Sequence, residues 1–108
     1  MSNRILITVG DILKDEYLDP MGISSYRLAK EIGVSTSLMS QIIRGTTAIS
    51  PDVAWRLGKF FETGMEYWMN MQASCDRRKI LEKYEDSKIE IPSYRKFCTH
   101  SPALNLNS

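Results

Sequence analysis

Ser24-Ser25-Tyr26-Arg27-Leu28-Ala29-Lys30-Glu31-Ile32-Gly33-Val34-Ser35-Thr36-Ser37-Leu38-Met39-Ser40-Gln41-Ile42-Ile43-Arg44-Gly45 holds two short apolar-periodic runs joined across one glycine. Ser24 is a good N-cap for the first run, and Tyr26, Leu28, Ala29 and Ile32 supply its buried side. Gly33 takes a left-handed backbone at little cost, so the first helix ends there. Ser35 caps the second run, whose Leu38, Met39, Ile42 and Ile43 recur at i, i+1, i+4 and i+5 before Gly45 closes it. Two short helices around a tight glycine turn make a helix-turn-helix. Each fixed position has a steric reason. Ala29 is small because the second helix crosses close over it, Val34 plugs the corner, and Leu28, Ile32, Met39 and Ile42 set the angle between the helices. That angle lets the second helix protrude into a groove about 12 Å wide.

What the second helix leaves exposed is short and polar. Thr36, Ser37, Ser40 and Gln41 are hydrogen-bonding groups that can approach base edges, and a glutamine there can make a bidentate contact to adenine. Arg44 lies one turn on and can reach phosphate or guanine. Ser25, at the start of the first motif helix, can offer its amide and hydroxyl to a phosphate. The competing reading is a plain solvated face on a helical bundle. A whole stretch with small, glycine and apolar residues in register favours DNA instead.

Outward from the motif the chain reads as five helices and a tail. Thr8 caps a first helix over about Thr8–Leu18, with Asp11 reaching back to it, Val9, Ile12, Leu13 and Tyr17 on one face, and Pro20 and Gly22 ending it. Ser50-Pro51-Asp52 opens the fourth helix, with Val53, Ala54, Leu57, Phe60 and Phe61 inward. Gly64 precedes a fifth, in which Trp68, Met71 and Cys75 form one stripe, read as core, and Ala73, Arg77, Ile80, Leu81 and Tyr84 a second, rotated one. Trp55 fits either core or a contact between copies. Residues 87–108, with Pro92 and Pro102, lack periodicity and read as a tail ordered only on docking. The expected fold is therefore all-α, a five-helix λ-repressor-like DNA-binding domain over residues 1–86, with its motif at 24–45, and a C-terminal tail over 87–108.

Composition narrows the function by exclusion. No apolar run approaches a membrane span, and the N-terminus has too short an apolar stretch for a signal peptide, so a cytoplasmic protein is expected. Cys75 and Cys98 read as reduced thiols; Cys98 and His100 form a Cys-x-His triplet, too few ligands for a metal site. No cofactor is expected. The one histidine lies in the tail, and no nucleophile–base set or phosphate-cradling glycine loop occurs, which argues against an enzyme. The formal net charge is only +1, so any DNA affinity rests on where charges sit: Lys30, Arg44, Arg56 and Lys59 lie in or near the motif. With so little general attraction, tight binding needs two recognition helices about 34 Å apart. The stripe Ile80, Leu81 and Tyr84 has no evident partner within five helices and reads as the contact of a two-fold homodimer on an inverted-repeat operator. A tail folded back over the stripe of a monomer is the alternative.

Ser24–Gly45 resembles the Xre-type, or Cro/CI-like, helix-turn-helix of phage and bacterial repressors. The resemblance extends further, to HigA-type antitoxins of the VapI-like group. Gly10-Asp11-Ile12-Leu13 leading to Pro20 and Gly22, Tyr26-Arg27-Leu28-Ala29-Lys30, and Glu66-Tyr67-Trp68-Met69-Asn70-Met71-Gln72 each look like that group's motifs, in order over about Gly10–Ala73. The resemblance implies an antitoxin that neutralises a ribosome-associated mRNA endonuclease, a small basic RNase toxin, and represses its own operon as a dimer. By position it implies base contacts at Thr36, Ser37 and Gln41 and flanking contacts at Ser40 and Arg44. This chain departs from the pattern in having Ser25 where a glutamine is usual, Thr8-Val9 for His-Pro, and Met69 and Met71 for leucines. Two other functions stay open from the sequence: a stand-alone transcription regulator without a toxin, and a protein-only inhibitor or adaptor that does not bind DNA.

Overall fold

Thr8 and Asp11 start the fold as their spacing predicts. The Thr8 hydroxyl accepts from the Asp11 N–H at 3.1 Å and the Asp11 carboxylate accepts from the Thr8 N–H at 3.0 Å, a reciprocal cap on helix α1 (Val9–Ile12). In the computed structural model, which describes residues 6–100, the helix does not stop before Pro20. It continues as a π-helical segment, Leu13–Leu18, into a last turn, α2 (Asp19–Met21). A proline ring collides with the carbonyl four residues back in a regular α-helix. Here the Asp19 N–H donates to Lys14 five residues back, and this wider register carries the chain through Pro20. Gly22, with φ of 67°, makes the stop.

Three more capped helices follow. Ser24 and Ser35 each accept an N–H three residues on at 3.0 Å, opening α3 (Ser25–Ile32) and α4 (Thr36–Ile43), and Ser50 does the same at 3.2 Å for α5 (Pro51–Phe61). The long α6 (Met65–Tyr84) packs on α5 and α1, and α1 also packs on α4. Among the described residues there is no strand. The expected five helices are present, the first of them in three pieces. The expected tail is corrected in part: after the irregular stretch 87–93 it carries a further helix, α7 (Tyr94–His100).

One core joins α1, the π-helical segment, α3, α4, α5 and the first turns of α6. Leu13, Leu28, Ala29, Met39, Ile42, Leu57 and Trp68 are fully buried around it. Tyr26 and Phe60, expected inward, are exposed. Helical geometry explains both. Tyr26 is two residues from Leu28, about 200° around the helix, and Phe61 lies near the middle of the arc buried by Val53, Ala54, Leu57 and Gly58, whereas Phe60 lies about 90° from it. Trp55 is half exposed and is not core.

Tyr17, in the π-helical segment, closes the aromatic side of the core. Its ring lies 5.1 Å from Trp68 and 4.8 Å from Phe61, and its hydroxyl is 2.8 Å from that of Tyr67. Burial first, and the hydrogen bond to Tyr67 second, push its pKa up from 10.0 to about 12. The neutral phenol is thus favoured in the folded state. Its contribution is intact below pH 10 and is lost as pH rises from there toward 12. Urea unfolding across this window should show stability falling with pH, and Tyr17→Phe should flatten that fall. An unchanged slope in the variant would contradict this assignment.

Candidate nucleic-acid interface

The motif is built from the turn outward. Gly33, with φ of 80°, ends α3, and its N–H and that of Val34 both donate to the Ala29 carbonyl, at 2.9 and 3.0 Å. Any side chain there would be strained by the left-handed backbone. A second clamp comes from α5. Arg56 Nη1 donates to the Ile32 carbonyl at 2.8 Å and its Nε to Asp52 at 2.9 Å. Arg56, read from the sequence as a positive charge beside the motif, is therefore committed to the last turn of α3 and holds α5 against it. A fixed turn fixes the direction in which α4 leaves the body.

α4 presents one polar face. Ser37, Ser40, Gln41 and Arg44 stand at i, i+3, i+4 and i+7, and Thr36 adjoins them at the N-terminal end. Thr36, Ser37 and Arg44 are exposed, and Ser40 and Gln41 are half-buried. Arg44 Nη1 donates to Ser40 Oγ at 2.7 Å, so these two form one unit. Gln41 is held by the loop that follows: Thr47 Oγ1 donates to its side-chain Oε1 at 2.9 Å, and its backbone carbonyl accepts from the Thr46 N–H at 3.0 Å and the Thr46 hydroxyl at 3.1 Å. Ser25, half-buried, stands at the first position of α3. Ile80, Leu81 and Tyr84 lie elsewhere, exposed on the far half of α6.

The cations of α3 and α5 have partners of their own. Arg27 pairs with Glu31 at 2.7 Å, Lys30 lies 5.5 Å from the Tyr26 ring, and Lys59 lies 5.5 Å from the Trp55 ring. The sequence reading missed Thr46, Thr47 and the inward role of Arg56. The last had a signal, since Asp52 and Arg56 are four apart on one helix.

This geometry defines a helix-turn-helix protein, and residues 15–68 match the family model HTH_3, described as Helix-turn-helix. The chain belongs to this family. It is 39% identical over 83 residues to Virulence-associated protein I of Dichelobacter nodosus, covering 77% of each chain. It is 35% identical over 94 residues to Antitoxin HigA-1 of Vibrio cholerae, covering 86% of this chain and 89% of that one. The Pseudomonas aeruginosa antitoxin HigA, solved with the higBA promoter, superposes with a TM-score of 0.73 at 34% identity, over 80% of this chain and 97% of its own.

Proposed function

We infer that this protein is a sequence-specific DNA-binding repressor and the antitoxin of a toxin–antitoxin pair, with no enzymatic activity of its own. One observation carries the reading: a rigidly braced helix-turn-helix with a polar α4 face occurs in a chain that matches nearly the whole length of a HigA antitoxin solved with promoter DNA. In this reading Thr36, Ser37 and Gln41 meet base edges in the major groove, and Ser25, Ser40 and Arg44 hold flanking phosphates. Residues 1–86 carry this function, and 87–108 form an extension. Among the described residues no helix is long and apolar enough to cross a membrane, and the proposed site of action is the cytoplasm.

The proposed assembly is a homodimer on an inverted repeat. Every residue from Asp76 to Leu81 is exposed, so the far half of α6 stands clear of the core on all sides. Ile80, Leu81 and Tyr84 there form an apolar stripe of the kind that marks an interface. A small basic ribonuclease toxin is the second proposed partner.

The test uses the promoter upstream of the gene. The wild-type chain should sediment as a dimer at micromolar concentration and bind that duplex with affinity that falls steeply with salt. The double variant Ile80→Asp with Leu81→Asp should sediment as a monomer and bind about a hundredfold more weakly, because joint engagement of two half-sites is lost. Salt-insensitive or absent binding by the wild type would sink the repressor reading. A wild-type monomer, with a double variant that binds normally, would sink the dimer.

A further inference from the structure

We propose that Thr47 sets which base Gln41 reads, by turning its amide into a donor that selects guanine. The inference rests on the reading of α4 as the base-reading helix. A glutamine amide has one acceptor oxygen and one nitrogen with two N–H donors. A bidentate contact to adenine needs both edges outward, since adenine presents N7 as acceptor beside its N6 amino donor. Here the Gln41 Oε1 faces the protein, 2.9 Å from the Thr47 hydroxyl. An oxygen acceptor leaves the hydroxyl as the donor of that bond. The loop is anchored on both sides of Thr47: Thr46 bonds the Gln41 carbonyl twice, and the Ile49 N–H donates to Gln72 Oε1 of α6 at 3.0 Å. Ile49 itself is buried. Thr47 is therefore held in place by the fold.

With Oε1 taken up by the Thr47 hydroxyl, the group Gln41 has left for a base is Nε2, a pair of donors. Guanine offers two adjacent acceptors, N7 and O6, and matches them. Thymine offers O4 alone. Adenine sets its own amino donor against the amide nitrogen. Thr47 touches no base and is a positioning residue that acts through Gln41. The adenine contact expected from residue type alone gives way to guanine because of a hydroxyl six residues further along the chain.

The test is a binding selection with the full chain and a pool of duplexes carrying about twenty randomised base pairs, two helical turns. Wild type should prefer guanine over adenine about tenfold at one position of each half-site. Gln41→Ala should lose preference at that position alone, which identifies it. Thr47→Val keeps the shape without the hydroxyl and should move that position toward adenine by about tenfold, with all others unchanged. Thr47→Ser keeps the hydroxyl and should keep guanine, a rescue that a purely structural role would not give. Adenine in the wild type, or a Thr47→Val profile identical to wild type, overturns the proposal. Enriched sequences whose every position survives Gln41→Ala overturn it too, while leaving DNA reading by α4 intact. No enriched sequence for the wild type overturns both.

Discussion

Trp68→Ala is expected to lower the free energy of unfolding by about 3–5 kcal/mol, the range for emptying a large aromatic site. Trp68 is the largest fully buried side chain described. It is also where three separate parts of the chain meet. Tyr17 comes from the π-helical segment, Phe61 from the end of α5, and Tyr67 is its neighbour on α6, with ring centroids 5.1, 5.9 and 5.2 Å away. Its Nε1 donates to Thr63 Oγ1 at 2.8 Å, which ties α6 to the turn that precedes it. Truncation removes the ring contacts and the hydrogen bond together, and α6, which also packs on α1, cannot close the gap fully. Domains of this size have roughly 5–15 kcal/mol in total, so the variant should lose a large share of its stability and melt far lower. Trp68→Phe keeps most of the volume and loses the hydrogen bond, so it should fall well short of the alanine loss. A urea unfolding curve for Trp68→Ala within about 1 kcal/mol of wild type would show that the aromatic joint does not hold α6 to the body.

What could be read in the sequence were features made by residues close together in it. The caps at Thr8, Ser24, Ser35 and Ser50 each join residues three apart, and all four form as their spacing predicts. Gly33 sits where a left-handed residue was required. The polar face of α4 was legible for the same reason, since one helical period places it. What could not be read were choices made by distant partners. Arg56 looks like any surface cation until Ile32, 24 positions away, offers a helix-end carbonyl. Tyr17 and Tyr67 meet across 50 positions. Tyr26, expected on the buried side of α3, is turned out, since its angle on the helix opposes that of Leu28. The contact between Thr47 and Gln41 spans only six residues, but it depends on how the loop after α4 folds back, and no periodicity governs a loop. The passage through Pro20 was missed because a proline two residues before a glycine reads as a stop, and the π register that admits it has no signature of its own.

Gly10→Ala should destabilise the fold by about 1–3 kcal/mol or more and weaken specific DNA binding together with it. Helix propensity alone predicts the opposite sign, because alanine in a helix is favoured over glycine by about 1 kcal/mol. The crossing of α1 over α4 decides the matter. A Cβ on Gly10 would overlap the Ile42 carbonyl oxygen and lie 2.8 Å from that of Ile43. Both are backbone atoms at the end of α4, so no side-chain rotation relieves the contact, and the two helices must move apart. Ile42 is itself buried in the core, so separation opens the packing that holds α4 in place. The displaced element is α4, which carries the proposed base reader Gln41, and a base contact tolerates little misplacement. Gly22→Ala is the matched control. Its φ of 67° strains alanine, but nothing lies within 4 Å of the added carbon, so it should cost about 1 kcal/mol and leave base preference unchanged. Thermal melts separate the two substitutions by magnitude, and the binding selection separates them by kind. A Gly10→Ala protein as stable as wild type, with unaltered base preference, would mean that α1 and α4 are not in backbone contact at Gly10 and that the position of α4 is set elsewhere.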